Sequence, residues 1–203
     1  MTGGEMTGGQ VTGGQMTLHD EMTDTTRFGV LARILHWLMA VAIVAMIFVG
    51  GSMVGSLGNY GRLLSIHKTL GLVILVLAVI RIVNRFRQRP PRRSDPLSRP
   101  ERLVANGSEI LMYALFLAQP LIGWCLVSAS GIPIHILGGL RIPSIVPVDA
   151  GLYATLRTLH GLLAYVLLAA FTAHICAVLF HALILRDTLI RRMTFGGRRS
   201  PGR

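Results

Sequence analysis

The chain has 203 residues, of which 52% are hydrophobic and only 14% charged, and its net charge is +11. A water-soluble domain of this length would carry roughly a quarter charged residues, so the composition points into lipid. The positive surplus does not argue for nucleic acid, because the basic residues gather between long apolar runs instead of spreading over one folded face.

Residues 1–26 form a low-complexity leader with near-repeats MTGGE, MTGGQ and VTGGQMT. Glycine and threonine dominate it and offer nothing to bury, so it is expected to be disordered. It resembles an epitope tag of phage capsid origin and is set apart from the fold. Four apolar stretches follow, at about 30–53, 63–83, 110–129 and 156–185. Each approaches or exceeds the ~20 residues a helix needs to cross ~30 Å of hydrocarbon. Only helices satisfy their own backbone in lipid, so the expected fold class is all-α: an integral membrane four-helix bundle over residues 27–195, ending in a basic tail at 196–203.

Basic residues set the orientation. Arg27 and Arg33 precede or open the first span. Arg85, Arg87, Arg89, Arg92, Arg93, Arg99 and Arg102 fill the second connection, and Arg186, Arg191, Arg192, Arg198, Arg199 and Arg203 crowd the C-terminus. All fall on one side if the helices run in-out-in-out, which places both termini in the cytoplasm and the protein in the cytoplasmic membrane. The third connection contains GIPIHILGGLRIP, an apolar Gly/Pro-rich stretch expected to cap the outer surface.

Ionisable residues inside spanning helices are costly and mark function. Five histidines lie in or at the ends of the predicted helices: His36, His67, His160, His174 and His181. His160 and His174 are 14 residues apart, close to four whole turns, so they share one face at depths separated by ~21 Å. Topology gives each a partner at its own depth: His36 with His174 toward the inside, His67 with His160 toward the outside. Two imidazoles per level suit the axial ligation of a haem iron, so the pattern predicts two b-type haems. Zinc would need three or four ligands at one depth. A cofactor-free bundle would use the same histidines only as hydrogen-bonding glue.

His67 and Arg81 repeat the 14-residue interval on the second helix, which puts Arg81 at the level of the inner pair. Its fork of donors suits a haem propionate or a quinone oxygen; the alternative is an arginine reaching to the interface. His181 shares the face of His174 and could exchange a proton with a quinone, or simply sit charged at a helix C-terminus. His135 reads as a surface residue of the cap, and His19 belongs to the leader. Cys125 and Cys176 fall at different depths, too far apart for a disulfide, and read as small buried thiols.

These residues together resemble the bacterial cytochrome b561 family over about residues 28–195. The resemblance rests on Arg33-Ile34-Leu35-His36-Trp37 opening the first helix and His67-Lys68-Thr69-Leu70-Gly71 opening the second. It continues in Arg81, in Pro120-Leu121-Ile122-Gly123 of the third helix, and in His160, His174 and His181 of the fourth. It implies a bundle binding two b haems from the first, second and fourth helices. One branch of the family oxidises superoxide at the periplasmic face and passes the electron to ubiquinone. Members can carry histidines where the third helix begins; this chain has Asn106 and Glu109 there.

Superoxide oxidation coupled to ubiquinone is therefore the expected activity. The outer rim agrees with it: Arg62, Lys68, Arg141 and Arg157, four cations against the one carboxylate of Asp149, leave a surplus of three charges to attract a small anion. The alternative is an electron-carrying subunit with the same haems, serving a partner dehydrogenase or a soluble periplasmic cytochrome. The short outer loops offer little docking surface for one. A transporter would need polar residues through the bundle, whereas the histidines stand at two levels only.

Overall fold

The computed structural model describes residues 29–56, 58–87, 99–136 and 139–184. The leader at 1–26, most of the arginine-rich second connection and the tail at 196–203 lie outside these residues, so the expectations placed on them and on the termini are not addressed by the fold. Four helices are long and apolar enough to cross a membrane: α1 (Val30–Gly55), α2 (Tyr60–Arg87), α3 (Arg99–Ala129) and α4 (Ala150–Leu179), the last running on into a π-helical turn, Phe180–Ile184. Successive helices pack on one another, α1 on α2, α2 on α3 and α3 on α4. This is an all-α membrane bundle.

The helices outrun the apolar stretches that announce them. α3 begins at Arg99, well before the lipid-like run, because Arg99–Glu109 can stay helical in polar surroundings with Glu101 favourably placed in the first turn. Outward-facing side chains are apolar: Phe48 is 71% exposed and Tyr165 75%. A water-soluble bundle would bury such residues, whereas lipid accepts them. Cys125 is half-buried and Cys176 exposed, both as free thiols, so Cys176 faces outward where a buried thiol was expected. Its position on α4 falls on the surface the helix turns to lipid.

The main buried cluster draws on all four helices. Met39, Ala42 and Ile43 of α1 meet Ile74 and Ala78 of α2, Leu115 and Phe116 of α3, and Leu167 of α4. Leu167 is seven residues from both His160 and His174, and Ile74 is seven from both His67 and Arg81. Seven residues are nearly two whole turns, so these positions lie on one face of each helix, with Ile74 and Leu167 ~10 Å from each polar level.

The third connection forms a small antiparallel hairpin, β1 (Ile134–Ile136) and β2 (Leu140–Ile142), in register His135 with Arg141. The Gly/Pro-rich stretch expected as a cap thus has strand pairing of its own. Period-two alternation turns Ile134 and Ile136 inward, buried, and leaves His135 and Arg141 exposed. β1 rests against α2. The connection is fastened to the end of α3: Trp124 Nε1 donates to the Pro143 carbonyl at 3.0 Å, and the Ile145 amide donates to the Oγ of fully buried Ser128 at 3.3 Å. Gly131 turns the chain at φ +74°, a left-handed conformation glycine adopts without strain. Asp149 caps α4 by accepting from the Leu152 amide at 2.6 Å.

Candidate functional site

The histidines stand at two levels of the bundle. At the hairpin end His67 of α2 meets His160 of α4, ring centroids 6.1 Å apart with planes inclined at 71°. Both rings lie against glycine. A β-carbon on Gly123 of α3 would stand only 3.1 Å from His160 Cε1, and one on Gly50 of α1 would stand 3.7 Å from His67 Cε1. Gln119 of α3 donates through Nε2 to the His160 backbone carbonyl at 3.0 Å, bracing α3 on α4 beside the ring. The Nδ1 atoms of His67 and His160 and the Oε1 of Gln119 are buried with no hydrogen-bond partner among the described residues. Unsatisfied buried polar atoms are costly and call for an explanation by a ligand or water.

At the opposite end the arrangement is a polar chain. Arg81 of α2 places Nη1 3.0 Å from His36 Nδ1 of α1 and donates through Nε to the Tyr113 hydroxyl of α3 at 3.1 Å. Arginine has donors only, so in this contact His36 Nδ1 accepts and the ring proton sits on Nε2. An iron on Nε2 would shift that proton to Nδ1 and release this arm of Arg81 for another acceptor, such as a propionate. His174 of α4 completes the group, within electrostatic range of Arg81 and of His36. One turn further along α2, Arg85 meets Glu109 through both guanidinium amino groups, 2.5 Å for the first and 3.0 Å for the second. The Tyr113 ring lies between the two arginines, 5.7 Å from the Arg81 guanidinium carbon and 5.9 Å from that of Arg85. His181 sits in the π-helical turn, half-buried, its ring edge-on to Phe180 at 6.1 Å. π-helical turns recur at functional positions because they re-aim side chains that a regular helix would place elsewhere.

The geometry fits a haem at the hairpin end. Two metal–imidazole bonds of about 2 Å each, with the two ring radii, span about 6 Å, which the 6.1 Å centroid separation accommodates. Nor do the described residues offer a group of three or more His, Cys, Asp and Glu side chains able to hold a bare metal ion. At the opposite end His36 and His174 have Arg81 beside them, so a porphyrin's carboxylates would find a cation there.

The rim expected to attract an anion gathers at the hairpin end. Arg62, Arg141 and Arg157 are exposed and Lys68 is half-buried. Among the described residues none of the four has a carboxylate partner, and the nearby acid, Asp149, is engaged in capping α4. Tyr113, Gln119 and the contact between Gly123 and His160 were not anticipated from sequence. A signal for Tyr113 existed: Arg81 and Arg85 on α2, and Glu109 and Tyr113 on α3, are each spaced by four and so share a face.

The model of the prokaryotic cytochrome b561 family matches residues 27–196. The chain is 30% identical to cytochrome b561 homolog 2 of Escherichia coli over 82% of its own length and 90% of that protein's, and 29% identical to homolog 1 over 82% and 96%. It is also 30% identical to a probable superoxide oxidase of Yersinia pestis, over 63% of this chain and 72% of the relative. The matched region takes in every histidine of the two levels, and the chain belongs to the prokaryotic cytochrome b561 family of b-haem membrane electron carriers.

Proposed function

We propose that this protein oxidises superoxide at its hairpin end and reduces ubiquinone at the other, as a di-haem cytochrome whose hairpin end faces the periplasm. The observation that carries the reading is the cationic rim of Arg62, Lys68, Arg141 and Arg157, without a carboxylate partner among the described residues, at the end where His67 and His160 lie. A relative's name, probable superoxide oxidase, points the same way.

His67 with His160 would hold one haem and His36 with His174 the other. Bound haem supplies one-electron redox chemistry, which needs no nucleophile or general base on the substrate. The rim raises the local concentration of a small anion and its encounter rate. The hairpin, with Ile134 and Ile136 turned inward, keeps bulk water from the bundle below it. Two superoxide ions give up two electrons and leave as dioxygen; with two protons taken up at the opposite end, these convert one ubiquinone to ubiquinol. There Arg81 offers donors to a propionate or a quinone oxygen, and the His181 ring offers a site for proton exchange near the lipid boundary. The apolar cluster through Leu115, Phe116 and Leu167 lies between the two chemistries.

The test is an absorption spectrum of the detergent-purified protein while superoxide is generated enzymatically, followed by added ubiquinone. Reduced b-haem bands should rise with superoxide and decay with quinone. Bands that respond to dithionite but not to superoxide would instead identify an electron-carrying subunit, supplied by a dehydrogenase or a soluble cytochrome.

A further inference from the structure

The two histidine levels differ in the cation set directly against a ring. At the end opposite the hairpin, Arg81 is within hydrogen-bonding distance of His36 and of the Tyr113 hydroxyl, and both acceptors are uncharged groups. Arg85, one turn along, has its charge answered by Glu109. No carboxylate among the described residues answers Arg81. The hairpin-end rings have glycines and a glutamine amide for neighbours. The cations of that end stand mostly in water, where ions screen them within ~8–10 Å. Lys68 follows His67 in the chain but points about 100° away around the helix.

Resting on the two-haem reading, we propose that Arg81 makes the haem held by His36 and His174 the electron sink of the protein. Reduction of a haem iron adds one negative charge to its site. A fixed cation beside that site favours the reduced form, and it acts most strongly where the surroundings exclude water. If a propionate pairs with Arg81, the sign is unchanged, since removing the cation then exposes a carboxylate. Arg81 therefore raises the potential at its own level over that at the hairpin end and fixes the direction of electron flow across the apolar cluster. Tyr113 is its positioning residue: the hydroxyl accepts from Nε and the ring lies against the guanidinium.

The experiment is a spectroelectrochemical titration of the haem-loaded protein, with haem counted per chain beforehand. Wild type should show two one-electron transitions. R81Q should lower the electron affinity of the higher transition about tenfold, ~59 mV for one electron, and leave the lower in place. R81K, which keeps the charge, should restore most of the difference. E109Q leaves Arg81 intact but uncovers the charge of Arg85, and should move the higher transition upward by less. The proposal is overturned if R81Q moves neither transition, moves both equally or moves only the lower. Should R81Q lose a haem, E109Q decides: a higher transition that stays or falls overturns it. A count of one haem per chain in wild type would overturn the two-haem reading itself, and is read before any potential.

Discussion

The two ends of this bundle handle a buried histidine pair in opposite ways. At the hairpin end the rings of His67 and His160 are walled by glycine, and among the described residues their Nδ1 atoms find no hydrogen-bond partner. At the other end His36 is tied through Arg81 to Tyr113, and Arg85 and Glu109 extend the polar group outward. The hairpin end sets two half-buried imidazoles 6.1 Å apart between glycines, with its cations on the rim. The opposite end sets one half-buried cation, Arg81, against a ring of its pair and leaves Arg85 with Glu109 toward water. What separates them is a cluster of aliphatic and aromatic side chains, with Ile74 and Leu167 two turns from each level, and that cluster lets one bundle hold two environments.

The largest expected effect removes one side of the comparison. His160→Ala takes away one ring of the hairpin-end pair, so haem per chain should fall by about half while the pair at the other end keeps its own. A haemochrome assay on purified protein reads this directly, and an undiminished haem content would break the assignment of His67 and His160.

The two glycines sharpen the same site. A β-carbon at Gly123 would meet His160 Cε1 at 3.1 Å, tighter than ordinary contact, whereas at Gly50 the nearest atom of His67 stands at 3.7 Å. Gly123→Ala should therefore displace the ring and weaken haem retention at the hairpin end, with an overpacking cost of about 1–3 kcal/mol. Gly50→Ala should be neutral or gain up to about 1 kcal/mol from helix propensity. Thermal unfolding with haem absorbance as the probe distinguishes them; equal behaviour of the two variants would deny that His160 needs the close approach of α3.

Changing Arg62, Arg141 and Arg157 together to glutamine leaves both histidine pairs untouched. The rate of haem reduction by superoxide should drop by about tenfold at low ionic strength, and the wild-type rate should fall toward the variant's as salt is added. If the wild-type rate ignores salt, the rim does not steer the substrate.

Much of this was legible in the sequence. Four spans, the all-α class and the pairing of His67 with His160 follow from two regularities, hydrophobic length and the 14-residue interval, because a helix converts spacing into direction. Contacts between helices were less legible. Tyr113 carries no signal of its own, and only the matched four-residue spacings on α2 and α3 place it between Arg81 and Arg85. Gln119 braces α4 through a backbone carbonyl, which leaves no trace in residue type. The hairpin was read as an apolar cap because three-residue strands are too short for their alternation to be recognised. Cys176 was expected inside because thiols favour interiors, a rule that loses its force where the outside is lipid.

The smallest expected effect lies at the polar end. Arg85 and Glu109 meet through both guanidinium amino groups, yet their side chains are 45% and 32% exposed. Solvent weakens such a pair, and exposed ion pairs contribute only ~0.2–1 kcal/mol. Bidentate geometry and the Tyr113 ring beneath Arg85 argue for the upper part of that range. A double-mutant cycle with Arg85→Gln and Glu109→Gln, read by thermal unfolding, should thus return a coupling below about 1 kcal/mol that shrinks in high salt. A coupling several times larger would mean that the pair is sheltered from water by lipid headgroups or by the residues between α2 and α3. The polar end would then be a closed site like the hairpin end, and the contrast between an open end and a walled one would fail. A small, salt-sensitive coupling keeps it: Arg85 and Glu109 belong to the water-facing surface, while Arg81, half-buried, is the cation held against His36.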